Sequence, residues 1–396
     1  MLVSDLSYSD YFGRQAIGKV VNGSAKSRMP WSVSGKMECA ARSASLNCRP
    51  MLALSFATAN ADPGDIVVLS GIDDVHIEDT ICTEDEPKAL PRLVVDEPTV
   101  SMRFTVNTSP LSGREGYNAQ SSKLVERLRK EALQNVSIQV EENNMGGGCL
   151  VRGRGEFQLV ILIEMLRREG FELSVGRPQV IFKQEGGKKT EPIEHIFVDC
   201  AENFSGVVTE KLSSRKGRMI NYAAHGSGRV RLEFSAPSRA LIGYRDVFLT
   251  DTKGTGLLNS YLVGYEEYRG DFTDRFTGSL VADRLGEGVA YGLFNLEPRG
   301  SLFILPGEPF YEGMIIGEHN KDTDLDVNPG KTKKLSNMRS VNKDEAVTLT
   351  PIQPMTLERA LQFIRDDEEV EVTPKSIRLR KRILAFTDRK SARRDN

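Results

Sequence analysis

The sequence has few of the residues from which disulfide and metal sites are built. It holds five cysteines, none of them in a CxxC pair, and four histidines without an HExxH motif. Scattered cysteines of odd number predict free thiols rather than a disulfide framework. The missing HExxH argues against a zinc hydrolase. We therefore expect neither a structural metal nor disulfide cross-links.

Long apolar runs and a strong net charge are also missing. No stretch of about 18 apolar residues occurs, so no membrane span is expected. The start, MLVSDLSYSDYFGR, lacks the basic and apolar regions of a secretory signal, which favours a cytoplasmic or organellar protein. The net charge of −2 means that any nucleic-acid binding must come from local basic patches.

No phosphate-binding loop of the form GxxxxGK[ST] is present in the 396 residues. The near matches DTKG (251–254), HNKDTD (319–324) and VNKDEA (341–346) are short or lack the required final Asp. We predict no GTP or other cofactor in this chain. No Ser/His/Asp or Cys/His grouping appears, so no catalytic residue is nominated. The carboxylate run DDEE (366–369) is typical of a solvated helix end.

Several domains are expected from a chain of this length, and changes in the pattern of apolar, turn-forming and charged residues divide it into four parts. Short apolar runs separated by turns predict a small β-barrel over residues 1–92. One strand holds Ile66–Leu69, and the next begins at Val75 and Ile77. Residues 37–62, rich in Ala, Ser and Cys, lack clean alternation and receive no strand assignment. Prolines at 87, 91 and 98 indicate a linker.

The pattern β-α-β-β-α-β then occurs twice, over residues 96–183 and 190–282. In the first copy, helices are predicted over Ser121–Gln134 and Glu156–Arg168; in the second, over Phe204–Ser213 and Arg239–Leu249. This order is the ferredoxin-like arrangement. The Gly-rich remainder, 283–396, forms a fourth domain, in which Thr356 is a predicted N-cap.

Two basic clusters in the fourth domain are the candidate RNA-binding residues. The first cluster lies in a predicted loop. The second lies on a short strand or helix; its apolar residues Ile377, Leu379 and Ile383 are expected to pack inside while its cations face solvent. The clusters comprise Lys331, Lys333, Lys334 and Arg339, and Lys375, Arg378, Arg380, Lys381 and Arg382. Such cations bind polyanions through phosphate contacts. A charged surface that is merely solvated is an equally weighted interpretation of the same residues. Aromatic residues are not interleaved with them, which argues against base stacking there.

A further motif, SRALIGYR (238–245), holds Arg239, Tyr244 and Arg245 beside a helix that begins near Ser238. The helix N-terminus could meet a phosphate, and ordinary capping by Ser238 is an equal reading. Helix 156–168 is apolar on most sides, so we expect it to be buried.

Several of these segments resemble the BipA/TypA family of translational GTPases, relatives of elongation factor G. The segments are PGDIVVLSGIDDVHIEDTIC, VDEPTVSMRFTVNTSPLSGREG, GRGEFQLVILIEMLRREGFEL, GRVRLEFSAPSRALIGYR, YEGMIIGEHN, KKLSNMRS and EVTPKSIRLRKRIL. The resemblance implies a translation-factor β-barrel, two ferredoxin-like domains similar to domains III and V of elongation factor G, and a family-specific C-terminal domain.

In function, the resemblance implies a ribosome-binding monomer that acts in ribosome assembly and stress adaptation and contacts ribosomal RNA and tRNA. It also implies GTP and Mg²⁺ for the full-length family. The family's amino-terminal GTPase domain has no counterpart in this sequence, and Glu78 stands where the barrel motif has glycine. The readings left open are an RNA-binding portion without catalysis, a GTPase completed by a separately encoded nucleotide domain, and a degenerate truncated product.

Overall fold

The computed structural model describes most of the chain, in two compact units. The described residues are 1–9, 11, 13–25, 31–34, 47–52, 55–56, 61–70, 75–83, 90–91, 97–135, 137–143, 148–224, 226, 228–272, 275–332, 348–352 and 354–392. Unit 1 comprises Met1–Pro98, Val125–Glu141 and Arg152–Arg154, and unit 2 comprises Thr99–Leu124, Glu142–Val151 and Gly155–Asn396. The four-domain division of the chain stays a prediction.

Unit 1 contains a seven-stranded antiparallel sheet. Its strands are β1 (Leu2–Ser9), β2 (Gly13–Lys19), β3 (Trp31–Ser34), β4 (Asn47–Leu52), β5 (Ser55–Phe56), β6 (Ile66–Ser70) and β7 (Thr80–Thr83). The spatial order is β3-β7-β1-β2-β6-β4-β5. Alternating side chains such as Leu6, Ala16 and Leu69 enter one core, as a half-buried sheet requires. Strands β4 and β5 lie in the stretch that the sequence left unassigned.

The first ferredoxin-like pattern is confirmed. Its elements are β8 (Val100–Val106), α1 (Ser121–Gln134), β9 (Gln139–Asn143), β10 (Gly148–Gly153), α2 (Glu156–Arg168), β11 (Leu173–Gly176) and the short β12 (Gln179–Val180). The strands take the order β11-β8-β10-β9. Both helices have the predicted bounds. Helix α2 buries Leu159, Leu162 and Leu166, but Phe157 and Ile161 are exposed, so the expectation that its apolar residues are all buried is wrong.

The second pattern is also confirmed, with one broken helix. Its elements are β13 (Lys183–Glu185), β14 (Lys188–Ala201), a 3-10 turn (Glu202–Phe204), α3 (Ser205–Ser214), β15 (Arg218–Ala224), β16 (Arg229–Pro237), α4 (Ser238–Leu241), α5 (Tyr244–Asp251) and β17 (Leu257–Glu267). Strand β17 pairs with β14, followed by β16 and β15. The predicted helix Arg239–Leu249 is interrupted because Gly243 has φ 71°.

The carboxyl-terminal region extends the sheet of the first ferredoxin-like domain. Its elements are β18 (Ser279–Ala282), β19 (Gly286–Glu287), α6 (Ala290–Phe294), a 3-10 turn (Glu297–Arg299), β20 (Gly300–Leu302), β21 (Pro309–Phe310), β22 (Met314–His319), β23 (Leu325–Val327), α7 (Leu357–Phe363), β24 (Glu368–Val372), β25 (Ile377–Lys381) and α8 (Phe386–Ala392). The order β23-β18-β22-β25-β24 continues into β11. Thr356 caps α7, as predicted, by accepting a hydrogen bond from the Arg359 amide at 3.3 Å.

Three cysteines of the described part, Cys82, Cys149 and Cys200, are free thiols. None of its helices is long and apolar enough to cross a membrane. Among the residues with described positions, no group of three or more His, Cys, Asp or Glu side chains is placed to hold a metal ion.

Candidate nucleic-acid interface

The predicted basic strand β25 turns two of its cations inward. The strand lies between β22 and β24 in the sheet. Arg380 donates to the Glu369 carboxylate at 2.8 Å, and both side chains are 5% exposed. Lys381 is 2% exposed. The expectation that these cations face solvent is therefore wrong.

Lys381 is held by three carboxylates. Its Nζ lies 2.8 Å from Asp324, 2.8 Å from Asp367 and 2.9 Å from Glu368. Arg275 also contacts Glu368, at 3.1 Å. Burial favours the neutral amine, but the three carboxylates outweigh it and raise the pKa of Lys381. Lys381 therefore neutralises buried acids and is not placed to contact a phosphate.

Arg378 is also occupied within the protein. It forms ion pairs with Glu115 and with Glu371, the latter at 3.2 Å. Glu371 is fully buried and also accepts hydrogen bonds from Tyr311 at 2.5 Å and Asn107 at 2.9 Å. This network joins β24 and β25 to the loop after β8. Arg378 was expected to face solvent, and that expectation is wrong for the same reason as for Arg380.

The acidic run DDEE supplies carboxylate partners for Arg380 and Lys381. Its first two residues are largely exposed, but Glu368 and Glu369 begin β24 and are buried. Burial opposes the charge of Glu368, yet Lys381 and Arg275 keep its pKa below the usual range. The reading of the whole run as a solvated helix end is therefore wrong for its second half.

Three of the predicted RNA-binding cations are exposed in the described part of the chain: Lys331, Lys375 and Arg382. Lys375 and Arg382 flank β25 at opposite ends, roughly 20 Å apart at the rise of an extended strand. The cations that contact solvent therefore do not form one compact patch.

Lys333, Lys334 and Arg339 lie outside the described residues. The chain before them is fixed beside α6, where the backbone at Pro329 and Lys331 closely approaches Gly292. The chain after them is fixed by the Thr350 amide, which donates to Glu297 at 2.6 Å. Leu349 packs against the same core as Leu293 of α6. Both ends of the basic segment are thus anchored at one corner of the carboxyl-terminal region.

The side chains of the SRALIGYR motif contact other parts of the protein. Arg239 donates to the buried Glu191 carboxylate at 2.6 Å, Tyr244 is fully buried, and the Arg245 guanidinium lies 4.9 Å from the Phe157 ring centroid. Pro237 occupies the N-cap position and Ser238 makes no capping hydrogen bond, so the predicted cap is wrong. With only four residues, α4 offers no helix N-terminus for a phosphate.

The sequence reading overlooked an aromatic surface on the second ferredoxin-like sheet. His195, Phe197 and Tyr261 lie on the sheet face opposite to the helices, with ring centroids 4.6 Å apart for His195 and Phe197 and 5.5 Å apart for His195 and Tyr261. The alternation HxFxD in β14 is the signal that would have revealed it. Because β14 and β17 are distant in sequence, their pairing could not be inferred from that alternation.

Comparison with known proteins identifies the two matched domains. Residues 277–386 match the TypA/BipA C-terminal domain, and residues 188–276 match the elongation factor G C-terminus. A Salmonella typhimurium protein named large ribosomal subunit assembly factor BipA is 46% identical over the whole chain, which spans 65% of that protein. The Haemophilus influenzae protein of the same name is 44% identical, with 64% of it covered.

Among solved structures, a crystal structure of a Thermus thermophilus protein matches 67% of this chain and 55% of its own, with 14% identity and a TM-score of 0.43. The relatives named above are similar along the full 396 residues, and the two matched domains follow each other in the carboxyl-terminal half. The chain thus carries the TypA/BipA C-terminal domain and the elongation factor G C-terminal domain, and it is similar along its full length to proteins named BipA.

Proposed function

We propose that this chain is the ribosome- and RNA-binding portion of a large ribosomal subunit assembly factor of the BipA type. The observation that carries the proposal is the 46% identity, over the entire chain, to proteins that bear that name. The chain spans less than two thirds of those relatives, so their activity is not transferred to it. In this proposal the chain works in the cytoplasm as a monomer and contributes binding without catalysis.

Phosphate contacts to ribosomal RNA or tRNA would come from the exposed cations of the carboxyl-terminal region. The residues concerned are Lys331, Lys333, Lys334, Arg339, Lys375 and Arg382. Arg378, Arg380 and Lys381 are excluded from this set because carboxylates within the protein already hold them. The GTP and Mg²⁺ of the full-length family have no assigned residues here.

Cosedimentation with large ribosomal subunits at about 50 mM and about 200 mM salt tests the proposal. The test variant changes Lys331, Lys333, Lys334 and Arg339 to alanine. Each lost phosphate contact is expected to reduce the slope of log affinity against log salt by about 0.9. The unmodified chain should pellet at low salt and be released at high salt, and the variant should pellet weakly at both.

A matched variant removes four exposed lysines from other surfaces, Lys19, Lys123, Lys253 and Lys321, and keeps the net charge equal to that of the test variant. It should pellet like the unmodified chain. Equal pelleting of both variants would refute the assigned residues, and no pelleting of the unmodified chain would refute the proposed function. GTP hydrolysis by the purified chain alone would refute the proposal that this chain contributes binding without catalysis.

A further inference from the structure

The second ferredoxin-like sheet has one face packed on helices and one face open. Along β14, the side chains of Ile196 and Val198 enter the core below α3, α4 and α5, whereas His195, Phe197 and Asp199 point to the other side. Cross-strand pairs place Tyr261 of β17 opposite His195. The strand order β17-β14-β16-β15 is that of a four-stranded ferredoxin-like sheet.

Three rings on the open face form an ordered stack. The planes of His195 and Phe197 differ by 14°, those of His195 and Tyr261 by 15°, and those of Phe197 and Tyr261 by 26°. Tyr261, on the edge strand, is 55% exposed. Rings that stand nearly parallel at a sheet surface offer a flat face on which a planar ligand can stack.

Cations surround the rings. The Arg231 guanidinium lies 5.0 Å from the Phe197 ring centroid, and Arg218 is exposed on β15. Arg229 pairs with Asp199, and His195 contacts Glu233 at 3.3 Å. Together Arg218, Arg229, Arg231, Asp199 and Glu233 carry a formal charge of +1. This composition fits a ligand with flat rings and negative charge.

We infer that the open face binds unpaired RNA nucleotides, with a base stacked on the exposed ring of Tyr261 and phosphates met by Arg231 and Arg218. Open sheets of this topology bind single-stranded RNA through stacking on exposed rings, and aromatic stacking tolerates any base. The inference deepens the proposed function and rests on it, because it names the form of RNA bound at a surface distinct from the basic carboxyl-terminal segments.

Fluorescence anisotropy with a fluorescein-labelled oligoadenylate RNA of about 12 nucleotides tests the inference, with a duplex RNA of equal length as competitor. Tyr261→Leu removes the ring but keeps an apolar side chain, and should weaken binding about 10-fold. Tyr261→Phe keeps the ring and should bind within about 2-fold of the unmodified chain. Arg231→Ala should weaken binding and reduce its salt dependence.

Tyr222→Leu is the matched control. Tyr222 is an exposed tyrosine in β15, at the opposite edge of the same sheet from Tyr261, and its pairing with the core residue Leu232 places it on the helix side. The Tyr222→Leu variant should leave the affinity for the labelled RNA unchanged. Equal effects of Tyr261→Leu and Tyr222→Leu, or equal affinity for duplex and single-stranded RNA, would overturn the inference.

A second measurement does not depend on the folding of any variant. In an oligouridylate, a single 2-aminopurine stacks only weakly on its neighbours and loses fluorescence when it stacks on a protein ring, so the unmodified chain should quench it. Absence of quenching would overturn the inference, and would point instead to a protein partner for this face. Ribosome cosedimentation separates the two hypotheses: if pelleting fails while quenching and the Tyr261 effect persist, only the proposed function is refuted.

Discussion

At the scale of single residues, Glu78 and Glu156 occupy positions that do not suit a charged glutamate. Glu78 has φ 75°, in the left-handed region that side chains rarely adopt. Glu156, at the start of α2, is largely buried and accepts a hydrogen bond from the Gly243 amide at 3.3 Å. Burial, with Asp246 and Glu358 nearby, raises its pKa to about 7. We therefore expect substitutions at both positions to increase stability, at Glu78 by relieving backbone strain and at Glu156 by removing a buried charge.

Glu78→Gly is expected to raise the free energy of unfolding of unit 1 by up to about 1 kcal/mol, because glycine adopts the left-handed region without strain. Trp31, the one tryptophan of the sequence, lies in β3 of the same unit, so its fluorescence during urea unfolding is the measurement. Lys253→Gly, at another position with positive φ but in unit 2, is the control and should not move the Trp31 transition. A Glu78→Gly variant that unfolds at lower urea would contradict the prediction.

Glu156→Gln should stabilise the protein increasingly as the pH rises above about 4.5, and most above neutral pH. The raised pKa means that the folded state binds the proton more tightly than the unfolded state does, so stability falls as pH rises from about 4.5 to about 7. The charged form costs up to about 3 kcal/mol above that range, and glutamine avoids this cost. Thermal unfolding at pH 8 should show a higher Tm for the variant, and at about pH 4, below both pKa values, a nearly equal one. A Tm difference that does not change with pH would show that the buried charge of Glu156 is not its cause.

At the scale of elements, β25 shows how a basic strand serves the interior. Its cations match the acids of the paired strand β24 and of the loops beside it, so that buried charges are neutralised in pairs. Replacing one partner of such a pair leaves the other charge buried and uncompensated, which is the costly change. The exposed cations at the two ends of the strand have no comparable role in folding.

Lys381→Met is accordingly expected to lower the free energy of unfolding by about 3 to 5 kcal/mol, since Asp324 and Glu368 lose their shared cation. Lys375→Ala and Arg382→Ala, at the ends of the same strand, should change it by less than about 0.5 kcal/mol. Urea unfolding monitored by circular dichroism compares the three variants. A Lys381→Met variant as stable as the two controls would show that Lys381 is not needed to neutralise this core.

At the scale of the whole molecule, the carboxyl-terminal region and the first ferredoxin-like domain share one sheet. Strand β24 pairs with β11 along Leu173–Gly176, and ion pairs such as Arg103 with Glu369 cross the same boundary. Leu173 and Val175 are fully buried there. The carboxyl-terminal region is thus a continuation of the sheet of that domain.

A chain that ends at Phe276 is expected to aggregate, because removal of β24 exposes the edge of β11 and its apolar side chains. A chain that ends at Leu384 keeps β24 and β25 and loses only α8, and it should stay soluble. Size-exclusion chromatography with light scattering distinguishes the outcomes. A monodisperse chain ending at Phe276 would mean that the two regions fold independently in spite of their shared sheet.

The sequence by itself determined the elements whose signals are local. The bounds of α1 and α2 follow from apolar periodicity, and the order of strands and helices in both ferredoxin-like domains follows from the succession of such patterns. The N-cap at Thr356 likewise depends on neighbours in the chain. The family resemblance rested on the same kind of contiguous segments.

Only the tertiary structure decided which charged and aromatic residues meet. The partners of Arg378 and Lys381 include Glu115 and Asp324, far away in sequence, so a run of cations gave no sign that it would be buried. Gly243, where the predicted helix breaks, lies against Gln362, whose Cγ would be 2.8 Å from an added Cβ. The ring stack needed β14 and β17 side by side. Local patterns set an element's conformation and its faces, whereas the residue opposite each face is fixed only when the chain folds.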